Sequence, residues 1–269
     1  MEWFESVILG LIQGLTEFLP VSSSGHLEIG KEILGIETTD DLMFTTLVHA
    51  ATVLSTIVVF RKQIMGLLKG FFKFKYNDET DYLFKIAVSI VPVMIVGLFF
   101  KDQVESLFGS IKVVGYALVL TSVLLFFSDI ASRPGRNLVS GVSPARNGIS
   151  YWQAFVVGLG QALAVIPGLS RSGTTISTGL ICGVRRDVMA QFSFLMVLIP
   201  ILGESFLEVA GGEFSSSTVG ALPLLLGFLS AFVSGLFACK VMIALVKKAK
   251  LSWFAIYCLI AAVCIFVLA

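Results

Sequence analysis

The sequence QGLTEFLPVSSSGH at residues 13–26 places polar and turn-forming residues inside strongly apolar surroundings. A counterpart lies 148 residues further along the chain, where Gln161 takes the position of Gln13. Seven residues recur at this offset: Gly10, Leu11, Gln13, Leu15, Ser22, Ser24 and Gly25 are matched by Gly158, Leu159, Gln161, Leu163, Ser170, Ser172 and Gly173. The internal match predicts a chain of two related halves, about 1–131 and 148–269, in one membrane domain.

The composition is that of a membrane protein. Of 269 residues, 56% are hydrophobic and 14% are charged, whereas a soluble domain has about a quarter charged residues. Runs of about 20 apolar residues suffice to cross a hydrocarbon layer of about 30 Å. Such runs occur at about 42–60, 82–100, 112–131, 187–209, 219–246 and 251–269. We therefore expect an all-α polytopic membrane protein with about six full transmembrane helices.

Other whole-chain features exclude several classes. The net charge of +1 gives no reason to expect a nucleic-acid partner, and the N-terminus has no basic region typical of a cleaved signal peptide. No GxxxxGK[ST] motif occurs, which argues against ATP use. The four cysteines lie in apolar segments without metal-type spacing, so we expect small buried apolar residues rather than a disulfide or a ligand set.

Basic residues in the connections give the orientation of the spans. Lys and Arg concentrate in three connections, 61–75, 132–147 and 247–250, which we expect on the cytoplasmic side. The connection 204–218 contains three Glu and no basic residue, so we expect it outside. Span 42–60 then runs inward and its counterpart 187–209 runs outward. Opposite orientation of matched spans is typical of an inverted repeat, whose halves are joined here by the cytoplasmic loop around 132–147.

Two further apolar stretches, 3–35 and 151–184, are interrupted by Pro, Gly and Ser. We expect each to be a re-entrant helix–loop–helix segment that enters and leaves on one face, so that the two polar turns meet near the middle of the membrane. Non-helical backbone at that depth is tolerated only where it is buried in protein or lines a wet cavity. Such a cavity is the first place to expect a binding site.

The first polar turn contains Ser22, Ser23, Ser24 and His26 after Pro20. A new helix begins there, and helix N-termini offer unpaired N–H groups to an anion. A single serine at this place also suits a simple N-cap. A neutral His26 could accept a proton from a serine hydroxyl or attack phosphorus itself. The second histidine, His49, is open between structural hydrogen bonding and a supporting role.

Glu17 lies within an apolar segment, with Gln13 four residues earlier on the same helical face. A carboxylate at bilayer depth costs about 2.5–3.5 kcal/mol on insertion scales and usually marks a site or pathway. Together the two oxygen-bearing side chains could hold a hard divalent cation with waters. The alternative is that Glu17 pairs with Arg171 as a buried brace, and the two hypotheses are compatible.

The second polar turn surrounds Arg171 with hydroxyl groups. Its candidate phosphate-binding residues are Ser170, Arg171, Ser172, Thr174 and Thr175. A planar guanidinium beside a helix N-terminus binds a tetrahedral oxyanion well because it can hydrogen-bond two oxygens at once. The rival interpretation is that Arg171 only extends to the membrane interface.

The motif at residues 13–26, followed by PGLSRSGTTIS at 167–177, resembles the undecaprenyl pyrophosphate phosphatase family, also known as bacitracin-resistance proteins. The likeness covers essentially the whole chain. It implies hydrolysis of undecaprenyl diphosphate, a polyprenyl diphosphate lipid, to the monophosphate. It further implies a multi-pass protein of the bacterial plasma membrane with its active site open to the outer side. Recycling of the lipid carrier for peptidoglycan synthesis and bacitracin resistance would follow.

By this resemblance, Gln13 and Glu17 correspond to the acidic motif, and Ser23 and His26 to the catalytic serine and histidine. The family's second motif falls on Ser170, Arg171, Ser172 and Thr175. The resemblance also implies a divalent cation, Mg or Ca. Some members have Glu where this chain has Gln13, so a cation here would rely mainly on the carboxylate of Glu17.

These residues suggest a mechanism with two open points. Arg171 and backbone N–H groups of residues 172–175 would hold the terminal phosphate, while Ser23, activated by His26 or Glu17, attacks phosphorus. In a variant, His26 is the nucleophile and Ser23 only a donor. A different class of function is a secondary transporter or flippase of a lipid phosphate, because inverted repeats with broken helices are typical of transporters. A purely structural scaffold leaves the matched polar turns without explanation, and a homodimer is one assembly that the sequence leaves open.

Overall fold

The computed structural model describes residues 1–36, 42–107, 110–132, 145–203, 219–248 and 250–268. Within these ranges the regular structure is helical and no strand occurs. The helices are α1 (Trp3–Thr16), α2 (Ser23–Leu34), α3 (Leu42–Phe71), α4 (Asp78–Phe99), α5 (Lys101–Glu105), α6 (Ile111–Ala131), α7 (Tyr151–Leu163), α8 (Arg171–Ile181), α9 (Arg186–Met196), α10 (Ala221–Lys248) and α11 (Ser252–Leu268), with a short 3₁₀ helix at Arg146–Gly148.

Five helical stretches are long and apolar enough to cross a membrane in the part of the chain described: Met43–Phe71, Asp78–Phe99, Ile111–Ala131, Arg186–Gly203 and Ala221–Val246. The prediction of an all-α polytopic membrane protein is confirmed at this level. The sixth expected span is α11, which has 17 residues and a length of about 25 Å. The expected span 187–209 is seen as far as Gly203, and the acidic connection 204–218 lies outside the described residues.

The third helix is longer than the sequence predicts. It runs from Leu42 to Phe71, so Arg61 and Lys62 lie on the helix rather than in a loop. No Pro interrupts residues 61–71, and Lys and Arg are good helix formers, so the helix continues. The turn that remains ends at Asn77, whose side chain accepts a hydrogen bond from the Thr80 N–H at 2.8 Å and caps α4. Most of the 132–147 connection, residues 133–144, lies outside the described residues.

The two interrupted segments each form a pair of short helices, α1 with α2 and α7 with α8. Their lengths of 11 to 14 residues correspond to about 16–21 Å, less than the thickness of a hydrocarbon layer. The first helix of each pair begins with the same device, a reciprocal capping box, formed by Glu2 with Glu5 and by Ser150 with Gln153.

Two matched glycines explain how these short helices pack. Helix α1 packs against α10, and α7 packs against α4. A Cβ atom at Gly10 would lie 2.4 Å from the carbonyl oxygen of Gly227, and one at Gly158 would lie 2.3 Å from that of Ser89. Each contact therefore requires glycine, which gives a packing reason for one identity between the halves.

Buried charges at the helix ends are paired, as their desolvation requires. Lys85 Nζ lies 2.5 Å from Asp81 Oδ2 and also donates to the carbonyl oxygen of Arg146. Asp129 Oδ1 accepts hydrogen bonds from Arg186 at 2.7 Å and from the Leu251 N–H at 3.2 Å, which ties α6 to α9 and to the start of α11.

All four cysteines are free thiols. Cys239 and Cys258 are buried, as expected, and Cys182 is half-buried. Cys264 is exposed, so the expectation of a buried residue is wrong there. It lies on the outward face of α11, where an apolar thiol suits a lipid environment as well as it suits a core.

Candidate active site

Both polar turns are built around a serine N-cap. The Ser22 hydroxyl accepts a hydrogen bond from the Gly25 N–H at 3.2 Å at the start of α2, and the Ser170 hydroxyl accepts one from the Gly173 N–H at 3.1 Å at the start of α8. The alternative that such a serine is an N-cap therefore holds for Ser22 and Ser170. Ser22 has a φ of 72°, in the left-handed region that a non-glycine residue adopts only when its surroundings hold it there.

The two turns contact each other through reciprocal hydrogen bonds. The Ser24 hydroxyl accepts from the Gly168 N–H at 3.3 Å, and the Ser172 hydroxyl donates to the Leu19 carbonyl oxygen at 3.1 Å. Each turn thus bonds the backbone just before the other turn. The two polar turns therefore contact each other.

Glu17 is the polar centre of the first segment. It lies directly after α1, and its Oε2 accepts hydrogen bonds from the Ser23 hydroxyl at 2.6 Å and from Gln13 Nε2 at 2.9 Å. His49 Nε2 lies 3.9 Å from the same oxygen. The 11% exposure of the Glu17 side chain leaves the carboxylate in a largely desolvated environment, where it interacts strongly with nearby charge.

A cavity brings Glu17 and Arg171 to one space. The polar residues of its lining are Glu17, Thr52, Thr56, Arg171, Ser172, Thr175 and Ser193. The apolar residues of its lining are Phe18, Val53, Phe194, Val197, Leu198 and Ile201. An acidic residue from the first segment and a basic residue from the second therefore line the same volume. A cavity lined by both polar and apolar residues suits a ligand that has an anionic head and a hydrocarbon tail.

The His26 ring forms its hydrogen bonds with groups other than Ser23 and Glu17. Its Nδ1 lies 2.8 Å from the Ser22 carbonyl oxygen, and its Nε2 lies 2.7 Å from the Tyr257 hydroxyl. The Ser23 hydroxyl bonds to Glu17 instead. Of the two bases that the sequence left open for Ser23, Glu17 is the one in hydrogen-bond contact.

The other candidate phosphate ligands have distinct environments. The Thr175 hydroxyl donates to the Arg171 carbonyl oxygen at 2.9 Å and lies 2.6 Å from Ser193 Oγ in the cavity wall. The Ser170 hydroxyl is occupied as the N-cap. Thr174 points toward α7, because a Cβ atom built at Gly160 would lie 3.6 Å from its methyl group. Its buried hydroxyl has no hydrogen-bond partner among the described residues.

A divalent cation would find few protein ligands here. No group of three His, Cys, Asp or Glu side chains lies close together in the ranges described. The Gln13 Oε1 atom is buried and has no hydrogen-bond partner among those residues, and the amide donates its N–H to Glu17. From the protein, a Mg²⁺-like ion here would have the Glu17 carboxylate and, after rotation of the amide, the Gln13 oxygen, so it would take most of its ligands from waters and substrate phosphate oxygens.

The sequence predictions did not include the hydroxyls of Thr52, Thr56 and Ser193. A signal was available for two of them, because Thr45, His49, Thr52 and Thr56 are spaced to share one face of α3. The Nδ1 atom of His49 lies 2.8 Å from the Thr45 carbonyl oxygen, which leaves Nε2 directed at Glu17. His49 therefore has both a structural hydrogen bond and a place beside the candidate site.

Comparison with known proteins shows the family of this chain. The family model of the bacitracin resistance protein BacA matches residues 6–264. The chain belongs to the BacA family. An undecaprenyl-diphosphatase of Bacteroides fragilis is 53% identical over 267 residues, which are 98% of this chain and 97% of the relative.

Further relatives carry the same name. The undecaprenyl-diphosphatase of Parabacteroides distasonis is 54% identical over 265 residues, 97% of this chain and 96% of its own. That of Halothermothrix orenii is 37% identical over 270 residues, 100% of this chain and 99% of its own. The family predicted from the two motifs is confirmed, and the match extends over nearly the whole chain.

Proposed function

We propose that this BacA-family protein is an undecaprenyl-diphosphatase. It hydrolyses undecaprenyl diphosphate to undecaprenyl phosphate and inorganic phosphate, which recycles the lipid carrier for peptidoglycan synthesis and reduces the target of bacitracin. The observation that carries this proposal is the common cavity of Glu17 and Arg171, with Ser23 hydrogen-bonded to Glu17. The names of relatives about 50% identical over almost the full chain support the same reaction.

Arg171 is the principal phosphate ligand in this proposal. Arg171 lines the cavity with Ser172 and Thr175, and its guanidinium would bind the terminal phosphate from the second turn. The backbone N–H groups of Gly173 and Thr174 already bond to the side chain and the carbonyl of Ser170. These two N–H groups are therefore less available than the sequence suggested, and the guanidinium supplies most of the charge stabilisation.

Ser23 is the nucleophile, and Glu17 is its base. The hydrogen bond of 2.6 Å already directs the hydroxyl proton to Glu17 Oε2. As the Ser23 oxygen bonds to the terminal phosphorus, the bond from phosphorus to the bridging oxygen breaks, and undecaprenyl phosphate leaves with the electron pair. Protonated Glu17 gives this proton to the leaving phosphate, which restores the carboxylate. The carboxylate then deprotonates a water that attacks the phosphorus of phosphoserine, the bond from phosphorus to Ser23 Oγ breaks, and Glu17 returns the proton to Ser23 as inorganic phosphate leaves. Most of the catalysis consists of positioning and charge stabilisation.

We also propose that a divalent cation takes part in the reaction. A Mg or Ca ion held by Glu17 and Gln13 would neutralise part of the phosphate charge when bound. Chelation should then reduce phosphate release, and adding back the ion should restore it. If the protein retains activity after chelation, and metal analysis shows that no divalent cation remains, the reaction does not require the cation.

The two halves form an inverted repeat of re-entrant segments in this proposal. Support comes from the reciprocal contacts: α1 packs on α10 and α7 on α4, while Ser24 and Ser172 each bond the backbone before the opposite turn. In this proposal the cavity opens to the outer side of the bacterial inner membrane. The basic residues at the C-terminal end of α3 support this orientation, because they favour the cytoplasmic side for that end. Labelling of single cysteines introduced at Glu2 and Lys75 from each side tests this orientation, and equal access from one side would contradict it.

The decisive experiment is phosphate release from purified protein in detergent with a prenyl diphosphate. Release without any gradient, lost in Ser23→Ala, supports the phosphatase. The second candidate, a carrier or flippase of lipid phosphate, is favoured by the reciprocal contacts between the halves. Movement of a lipid phosphate across vesicles without hydrolysis would support that candidate instead. The homodimer stays a prediction, since the structure describes one chain.

A further inference from the structure

The tautomer of His26 follows from its hydrogen bonds. A carbonyl oxygen only accepts, so the Nδ1 atom that lies 2.8 Å from the Ser22 carbonyl oxygen carries a proton. In a neutral ring the Nε2 atom then has only a lone pair. The bond of Nδ1 holds the carbonyl of a residue whose φ of 72° is unfavourable for serine.

The Nε2 atom meets a donor from the far end of the chain. The Tyr257 hydroxyl, on α11, lies 2.7 Å from it, and the two rings are nearly parallel, with 11° between their planes. A proton on Nε2 would leave Nδ1 bare against the Ser22 carbonyl, so Nε2 accepts and the Tyr257 hydroxyl donates. The phenol thus adds a second hydrogen bond to the tautomer that the carbonyl requires. A ring flip would break both bonds at once.

His49 makes the same backbone contact as His26, but its Nε2 atom faces an acceptor instead of a donor. Its Nδ1 lies 2.8 Å from the Thr45 carbonyl oxygen, four residues earlier, as in His26. Its Nε2, however, faces the acceptor oxygen of Glu17 at 3.9 Å rather than a donor. The donor on Nε2 is therefore particular to His26, and His49 is an internal reference for any measurement on histidine.

We propose that Tyr257 is a positioning residue of the active site that acts through His26. Its hydroxyl stabilises the Nδ1–H tautomer of His26 and fixes the ring, this ring holds the Ser22 carbonyl, and the strained Ser22 sets the direction of Ser23 toward Glu17. The proposal rests on the proposed function for its kinetic consequence only. It predicts an effect on kcat rather than on KM, because Tyr257 orients the nucleophile and the phosphate is bound by other groups.

The first test is Tyr257→Phe, which keeps the ring and removes the hydroxyl. We expect kcat for phosphate release to fall about ten- to a hundredfold, the loss typical of a displaced catalytic group, with KM within about twofold. Tyr116→Phe is the matched control, since Tyr116 is a 69% exposed tyrosine on the neighbouring helix α6 and should retain full activity. Tyr257→Gln returns a donor to Nε2 and should recover part of kcat relative to Phe.

The second readout is independent of substrate. The chain has only two histidines, so ¹⁵N-histidine NMR in detergent gives two imidazole spin systems, which the loss of one signal in His26→Asn assigns. In the wild type, His26 should carry its proton on Nδ1. In Tyr257→Phe, its Nε2 resonance should move to higher frequency and Nε2-protonated ring should appear, while His49 stays unchanged.

Several results would overturn the proposal. One is a wild-type His26 protonated on Nε2, which needs no variant and no activity. Another is a fall in kcat in Tyr257→Phe with an unchanged His26 spectrum, because that marks a merely structural role. Unchanged kcat would also reject it. If Tyr257→Phe does not fold, Tyr257→Gln and the wild-type spectrum decide. Absence of phosphatase activity would defeat the proposed function and leave the spectral test intact.

Discussion

The two polar turns share a scaffold and differ in chemistry. In both, a serine caps the helix and lies near the hydroxyl of the serine two residues later, at 3.3 Å for Ser22 and Ser24 and at 3.4 Å for Ser170 and Ser172. In both, that second serine contacts the backbone before the opposite turn. The identical residues of the repeat therefore build the junction between the halves.

The reactive groups occupy the positions at which the repeat is not identical. Between the two serines stands Ser23 in one turn and Arg171 in the other. Glu17 has Val165 as its counterpart, and His26 has Thr174. In the proposed mechanism, the first segment supplies an oxygen nucleophile and its base, and the second supplies a guanidinium. A symmetric junction thus carries an asymmetric site, so substitutions at matched positions should separate structure from chemistry.

The largest expected effect is at Ser23. Ser23→Ala removes the nucleophile and should lower kcat for phosphate release by at least about a thousandfold, with little change in thermal stability. Ser24→Ala, one position along the same helix, should retain most of kcat, because that hydroxyl bonds backbone. Equal losses in the two variants, measured with a prenyl diphosphate, would contradict the assignment.

Arg171, the counterpart of Ser23, should have the next largest effect. Arg171→Ala should lower kcat/KM about a hundred- to a thousandfold through loss of charge stabilisation. Arg171→Lys should recover part of this loss, because an ammonium keeps the charge without the planar fork. Arg185→Ala is the control, since that side chain is 77% exposed. A fully active Arg171→Ala would exclude Arg171 as the phosphate ligand.

The sequence predicted much of this arrangement for identifiable reasons. Repeated residues such as Gln13 and Gln161 stand out in an apolar chain, and charge at bilayer depth drew attention to Glu17 and Arg171. The cavity hydroxyls Thr52 and Ser193 were missed because threonine and serine are ordinary in membrane helices.

Other features depend on contacts between distant parts of the chain. The bond from Tyr257 to His26 joins residues 231 positions apart, and no local pattern marks it. The predicted end of α3 near residue 60 is wrong because basic residues mark the membrane surface, whereas the helix itself continues beyond that surface to Phe71. Which base faces Ser23 required the side-chain geometry of Glu17.

A smaller effect is expected at the matched glycines. Gly10→Ala and Gly158→Ala would each press a Cβ against a backbone carbonyl and should lower stability in detergent by about 1–3 kcal/mol. Gly97→Ala on α4 is the control, because its Cβ would meet open space and should raise stability slightly. Similar losses at both glycines support equivalent packing of the halves, and a loss at one only would contradict it.

The smallest effect should come from the two bonds that join the turns. Ser24→Ala and Ser172→Ala should each lower the free energy of unfolding by about 1 kcal/mol, the usual value of one hydrogen bond. Only Ser172→Ala should also reduce activity, because Ser172 lines the cavity. Ser106→Ala, at an exposed site, should change neither quantity. Activity lost equally in both turn variants would mean that the junction, rather than the cavity, controls the reaction.

An experimental structure with a methylene-bridged prenyl diphosphate tests the central claim most directly. The account predicts a terminal phosphorus about 3–3.5 Å from Ser23 Oγ, with the Arg171 guanidinium bonded to oxygens of the same phosphoryl group and the prenyl chain against apolar residues of the cavity lining. A headgroup held by one turn alone, with Arg171 or Ser23 away from it, would contradict the account.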